Sequence, residues 1–446
     1  MTSSWQPGSW RDRECLQQPE YADQAGLADV VKALGEYPPL VTTAEIIKLK
    51  QQIGKAGRGE MFILHGGDCA ERFIDCNENA ITNQLKILLQ MSVILMYGLR
   101  KPAIRIGRIA GQYAKPRSSL FETINGTTIP TYRGDSINGY RADSASRKPN
   151  PERLRRSYFH AALTLNYIRS KINSGFADLH NPYNWNLHAI EQTSRWPKYK
   201  AIVDHILDAI NFMDAFGGLR SESLGRIDFF NSHEGLLLNY EEALTRLDPV
   251  SGAYYNRGAH LLWLGDRTRN LDHGHIEYFR GIANPIGVKL GPGCSGDEAV
   301  ALCKVLNPDN EEGRLLFITR MGADRVESRL PEILKSVRKA KCTVTWCCDP
   351  MHGNSIVLED GQKTRDFSAV LQELKQSTRI HDEAGSLLAG AHFELTGENV
   401  TECIGGAVDV KNSDLSENYA TYCDPRLNYA QSLEMAFLIS RLFQRN

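Results

Sequence analysis

Four residues of types that bind divalent ions stand far apart in this 446-residue chain: Cys69, His352, Glu394 and Asp424. A thiolate, an imidazole and two carboxylates make a mixed soft and hard set, better suited to Mn, Co, Fe or Zn than to Mg or Ca. Held with room for a substrate oxygen, such an ion acts as a Lewis acid. A second set is cationic: Arg108, Lys115, Arg117, Arg267, Lys289 and Arg320. Lys289 and Arg320 lie in or at the end of otherwise apolar runs, where an uncompensated charge is costly to bury. They are expected to meet anions, and one phosphate with one carboxylate would use them. From Arg108 to Ser118 three cations, a hydroxyl and glycine spacing fit a loop that wraps an anion.

Residues so dispersed can meet only where strand ends converge. Strand-like runs are read at 61–65, 103–107, 228–234, 260–265, 285–292, 315–322, 343–346 and 390–399. The run at 343–346 stops at Asp349-Pro350, because proline cannot donate to a sheet ladder, so His352 lies just past a strand end. After the first run, Gly66-Gly67-Asp68 forms a tight turn that presents Cys69. Helical stretches such as 296–306 and 327–340 separate the runs, which predicts an α/β fold, a (β/α)8 TIM barrel. A doubly wound sheet would gather its ligand groups at one switch point instead.

Helices are also expected at 43–52, with Thr42 or Thr43 capping toward Glu45, and at 79–98, 153–172 and 199–216. Residues 1–60 read as an N-terminal extension and 61–446 as the catalytic barrel, with a helical insertion after the second strand at about 150–225. Up to about residue 40 little periodicity is visible. Trp5, Trp10, Tyr21 and several prolines there suggest an arm lying on the body or on a neighbouring subunit.

With 52 basic against 53 acidic side chains, no global field draws the chain to nucleic acid or an anionic membrane. The longest apolar run, 87–97, is too short to span a bilayer. The first ten residues have no apolar core and charges follow at 11–14, so neither a secretory signal nor a transit peptide is expected. Ten cysteines without a Cys-x-x-Cys pair read as reduced thiols, and a cytoplasmic location is expected.

Several long motifs together resemble the type II 3-deoxy-D-arabino-heptulosonate 7-phosphate (DAHP) synthases. They are Gly66-Gly-Asp-Cys-Ala-Glu71, the stretch 108–118, Tyr132-Arg-Gly-Asp135, Ser232-His-Glu234, Gly287-Val-Lys-Leu-Gly-Pro292, Asp349-Pro-Met-His-Gly-Asn354, 395–403 and Cys423-Asp-Pro-Arg-Leu-Asn428. The resemblance implies a metal-dependent TIM barrel that opens the shikimate pathway by condensing phosphoenolpyruvate with erythrose 4-phosphate. It implies metal ligation, by an ion such as Mn2+ or Co2+, through Cys69, His352, Glu394 and Asp424. It implies phosphoenolpyruvate binding by Arg108, Arg267, Lys289 and Arg320, and aldose phosphate binding by Lys115, Arg117 and Ser118. Asp266 stands where many members have glutamate, and His65 replaces a frequent glutamine.

The implied chemistry needs a group to orient or activate water, for which Lys289, Glu234 and Asp266 are the candidates. Lys289 ranks first, because neighbouring cations would lower its pKa. Cys423 is expected near Cys69, where oxidation could join the two thiols. The resemblance further implies a homo-oligomer (dimer or tetramer), feedback by an aromatic amino acid and association with a chorismate mutase. Two alternatives remain, another phosphoenolpyruvate-condensing barrel such as an octulosonate phosphate synthase, or a catalytically silent partner of chorismate mutase.

Overall fold

The computed structural model describes residues 5–443 apart from 125, 360 and the stretch 175–226, within which only 197, 200, 204 and 208 are described. The expected helix at 199–216 and most of the expected insertion therefore lie outside the described residues. Eight of the described strands close into one barrel whose neighbours all run parallel. They are β1 (Phe62–Gly67), β2 (Ala103–Arg108), β3 (Phe230–Glu234), β4 (Leu261–Leu264), β5 (Ile286–Leu290), β6 (Leu315–Thr319), β7 (Thr345–Cys348) and β8 (Leu388–Glu394). Each overlaps one of the expected runs, and the barrel is the one predicted.

Why these segments make a barrel follows from the two-residue period of a strand. One apolar cluster, shared with the surrounding helices, takes Leu64, Leu262, Val288, Phe317 and Phe393. A separate cluster takes their sequence neighbours Ile63, Leu261, Leu316 and Ile318 together with Ile104, Ile106 and Phe230. Both faces of each strand are thus buried, and the runs read as almost continuously apolar. On the inner parity the chemistry changes toward the C-terminal ends: Arg108 follows Ile106, Glu234 follows Ser232, Arg320 follows Ile318 and Asp349 follows Cys347. The interior is apolar below and charged above.

The lower mouth is sealed by α2 (Thr43–Gly57), five residues longer than expected. The Thr42 hydroxyl accepts from the Glu45 amide at 3.2 Å, and the Glu45 carboxylate accepts from the Thr42 amide at 2.8 Å. This helix adds Leu49, Ile53 and Ala56 to the interior cluster. Ahead of it lies α1 (Gln24–Glu36), where no helix was predicted. Only Val30 and Leu34 of α1 are buried, too sparse a stripe to show as periodicity.

The arm lies on the body of its own chain. Trp5 Nε1 donates to the Glu277 carbonyl at 2.8 Å and Trp10 Nε1 to Glu242 Oε2 at 2.7 Å. The remaining described α-helices are α3 (Glu78–Leu99), α4 (Glu152–Asn173), α5 (Leu238–Ala243), α6 (Gly274–Gly281), α7 (Gly296–Leu306), α8 (Val326–Lys339), α9 (Phe367–Glu383) and α10 (Tyr429–Leu442). No described helix is long and apolar enough to cross a membrane.

Ile53 is fully buried at the seal. Truncating it, Ile53→Ala, is expected to lower the unfolding free energy by about 2–5 kcal/mol, read as a fall in urea midpoint at unchanged m-value. A loss below about 1 kcal/mol would mean that the helix does not close the barrel.

Candidate active site

Three buried glutamates shape the loops above the strand ends. Glu71 accepts from the backbone amides of Ala110, Gly111 and Gln112 at 2.7–2.9 Å, folding the chain between Arg108 and Lys115. Glu373 on α9 accepts from the Met321 amide at 2.8 Å and from Asn354 Nδ2 at 2.6 Å, which ties the residues after Arg320 to those after His352. Glu402 accepts from the Thr421 and Arg426 amides, both at 2.8 Å, and so holds the segment carrying Asp424. Burial pushes Glu71 up to about 7 and Glu373 up to about 8, against the backbone donors that favour their ionised forms.

Between these loops lies a cleft of about 210 Å³, lined by Cys69, Arg108, Lys115, Glu234, Asp266, Arg267, Lys289, Arg320, His352 and Asp424, among others. All ten are residues singled out in the sequence. Glu394 sits at the edge of this group with no solvent exposure. Cys69 Sγ and one carboxylate oxygen each of Glu394 and Asp424 lie within 4.8 Å of one another. His352 abuts this trio through Glu394, its Nε2 being 3.0 Å from Glu394 Oε1. The other ring nitrogen, Nδ1, faces Asp349 Oδ2 at 2.7 Å, the carboxylate partner that commonly orients a metal-binding histidine.

The donor set fits a divalent ion on two further observations. Neither Glu394 oxygen makes a directional hydrogen bond among the described residues, although Arg108, His352 and Arg365 all lie within ion-pair distance. Charge is balanced there while lone pairs stay open. The Lys115 ammonium also lies against both Cys69 Sγ and Asp424 Oδ2, so a cation already sits among these donors. Burial raises Asp424, but Lys115 reverses the effect and takes its carboxyl below the usual range. Cys423 packs beside Cys69 under Tyr132, and both are free thiols.

Besides Glu394, two candidates fall outside the cleft lining. Arg117 is 3.8 Å from Glu122 Oε2, and Ser118 connects to the cleft through Arg267, whose Nη2 donates to its hydroxyl at 2.9 Å. Among the cations inside, Arg108 pairs with Glu394 at 3.1 Å, Arg320 with Asp266 at 3.2 Å, and Lys289 with Asp349. Burial is the largest cause lowering Lys289 to about 8; Asp349 opposes it and Arg108 adds to it. The expected direction holds, but desolvation outweighs the neighbouring cations that were expected to cause it. Burial raises Glu234, outweighing Arg108, Lys115, His352 and Lys289, and its Oε1 has no hydrogen-bond partner among the described residues. Gly265 leaves that oxygen room, since a Cβ there would collide with it. For Asp266, burial is outweighed by Arg269 and Arg320, and its carboxyl lies below the usual range.

Sequence reasoning missed Asp349, Arg365 and Lys363. In the sequence Asp349 marks a strand end and opens a motif but carries no role, yet it follows Cys347 on the inner parity of β7, and a buried Lys289 requires an anion. Arg365 has no exposure and reaches Glu394 Oε2 at 2.7 Å; Lys363 reaches Asp424 Oδ1 at 2.9 Å. Both stand in a short hairpin strand, Lys363–Arg365, that periodicity does not reveal.

The family model of the class-II DAHP synthetase family matches residues 5–440. The chain belongs to this family. A phospho-2-dehydro-3-deoxyheptonate aldolase of Neurospora crassa is 48% identical over 452 residues, covering 98% of this chain and 94% of that one. Its counterpart from Streptomyces coelicolor is 45% identical over 443 residues, covering 99% and 98%. That of Mycolicibacterium smegmatis is 42% identical over 437 residues, covering 97% and 93%. As a DAHP synthase the chain is an enzyme, a transferase, and the cleft at the C-terminal mouth is where a barrel of this kind works.

In this DAHP synthase Asp349 is the counter-charge for Lys289 and the hydrogen-bond partner of His352. Asp349→Asn leaves a buried ammonium uncompensated, so unfolding free energy is expected to fall by about 3–5 kcal/mol, measured by urea denaturation at pH 7. A variant as stable as the parent would show that the pair contributes nothing.

Proposed function

We propose that this DAHP synthase condenses phosphoenolpyruvate with D-erythrose 4-phosphate, releasing inorganic phosphate, and that it needs a divalent ion such as Mn2+ or Co2+. The observation that carries the reading is the trio Cys69, Glu394 and Asp424 beside a wall of cations in one cleft. The ion would be held by these three with His352, and when bound it supplies Lewis-acid polarisation of the aldehyde.

Arg108, Arg267, Lys289 and Arg320 hold the phosphate and carboxylate of phosphoenolpyruvate, with bidentate guanidinium contacts fixing its plane. Lys115 and the Arg117–Ser118 segment receive the aldose phosphate, and the Arg267–Ser118 bond joins the two subsites. C3 of the enol adds to the aldehyde carbon, and the aldehyde oxygen takes up a proton. Water then adds at C2, and phosphate departs with cleavage of the C2–O bond. Glu234 is the base for that water, because its Oε1 is buried, unpartnered among the described residues and beside the cleft. Lys289 stays charged below pH 8 and holds the anion, and Asp266 fixes Arg320.

The catalytic barrel is 61–446, with 1–60 as its extension, and the enzyme works as a homo-oligomer in the cytoplasm. Feedback by an aromatic amino acid and docking of a chorismate mutase belong to the same reading.

Phosphoenolpyruvate is expected to disappear from purified enzyme only when erythrose 4-phosphate is present, to persist after EDTA and to be consumed again with Mn2+ or Co2+. Arabinose 5-phosphate consumed instead would sink this reading in favour of an octulosonate phosphate synthase, and turnover undiminished by chelation would sink the metal. Cys69→Ser and His352→Ala are expected to abolish this turnover while the circular dichroism spectrum is kept. The Lys289 value also sets a pH dependence. Above about pH 8 its ammonium is lost, so KM for phosphoenolpyruvate should rise with pH there, and Lys289→Met should be weak-binding and flat across the same range.

A further inference from the structure

Beneath Arg108 the barrel interior holds two histidines with no solvent exposure, His65 on β1 and His392 on β8. Their contacts form a chain. Arg108 Nη1 is 2.8 Å from His392 Nε2, and His392 Nδ1 is 2.9 Å from His65 Nδ1. His65 Nε2 is 2.8 Å from Ser232 Oγ, which is 2.9 Å from the Gly107 carbonyl oxygen. The chain therefore starts at a guanidinium and ends on the peptide just before it.

Its ends dictate the polarity of every link. A guanidinium can only donate, so His392 Nε2 accepts. A carbonyl can only accept, so the Ser232 hydroxyl donates to Gly107 and accepts from His65 Nε2–H. With its proton on Nε2, His65 presents Nδ1 as an acceptor, and His392 donates to it from Nδ1–H. Both rings are neutral and each is confined to one tautomer. Burial, assisted by Lys289 and Arg108, keeps His65 well below the usual imidazole value.

Arg108 lines the cleft, and Trp263 lies under its guanidinium at 5.3 Å. We propose that His65, acting through His392 and anchored by Ser232, is a positioning residue that holds the Arg108 guanidinium ready for the phosphoenolpyruvate anion. The proposal rests on the condensation reading given above. An arginine side chain is otherwise rich in rotamers, and fixing it before the ligand arrives lowers the entropy lost on binding. If nothing at position 65 accepts from His392 Nδ1–H, that buried donor is left unpaired, and the ring is no longer held with Nε2 toward Arg108.

The test compares His65→Leu, which cannot accept, with His65→Gln, whose carbonyl can accept from His392 while its amide donates to Ser232. His65→Leu is expected to raise KM for phosphoenolpyruvate about tenfold or more, with kcat and KM for erythrose 4-phosphate nearly unchanged. His65→Gln should return KM toward the parent value. Isothermal titration of each protein with phosphoenolpyruvate should give the same order of Kd. A folded Leu variant with the parent's KM, equal losses for both substrates, a loss confined to kcat, or no rescue by Gln would each overturn the proposal. If the Leu variant does not fold, Ser232→Ala decides: a raised phosphoenolpyruvate KM supports the chain, and an unchanged one overturns it. Parent enzyme that consumes no phosphoenolpyruvate with erythrose 4-phosphate would instead overturn the condensation reading itself.

Discussion

Glu394 carries a negative charge at a point with no solvent, and Arg108, Arg365 and His352 close on it from β2, from the hairpin after β7 and from the loop after β7. Asp349 is placed in the same way between Lys289 and His352. Every one of these charges would be costly to bury alone, so the upper layer of the barrel is tolerable only when all of them meet. That condition ties the site to the register of the sheet. A slip of one residue in any strand would turn its charged end outward and drive an outer apolar residue into the mouth. The closed barrel and the reactive cleft therefore express one constraint.

Loops that end on charged side chains need fixing as well, since a backbone out of a strand has amides to satisfy. Glu71, Glu373 and Glu402 satisfy several at once, each from a buried position below a loop that carries cleft residues. The carboxylates thus do for these loops what hydrogen-bond ladders do for the strands. The loops that shape the cleft are thus held by the protein's own carboxylates, and such fixed geometry is the condition for electrostatic stabilisation without reorganisation. Lys115 is the exception in kind. Its ammonium lies directly against Cys69 Sγ and Asp424 Oδ2, in the cleft itself.

Much of this was legible from local pattern. The inner and outer faces of the strands are both buried, which made the runs stand out, and their charged ends marked the mouth at Arg108, Glu234, Lys289, Arg320 and Glu394. Less regular parts were not. With two buried residues in thirteen, α1 has no stripe to read, and the Lys363–Arg365 hairpin strand is too short for a period. Lys289 was read correctly as a perturbed cation but with the wrong leading cause, because burial is a property of the closed barrel and a neighbouring charge can be guessed from sequence.

The sequence by itself determined which segments become the eight barrel strands and which charges stand near their ends, since such choices depend on propensities and periods spanning a few residues. Tertiary structure alone decided the partnerships: Asp349 with Lys289, Arg365 with Glu394, Lys115 within the Cys69 and Asp424 pair, and the two histidines linked beneath Arg108. Those contacts join residues tens to hundreds of positions apart. Only barrel closure sets the distance across its interior, and only that distance, with the exclusion of water, selects which opposite charges and which donors and acceptors meet.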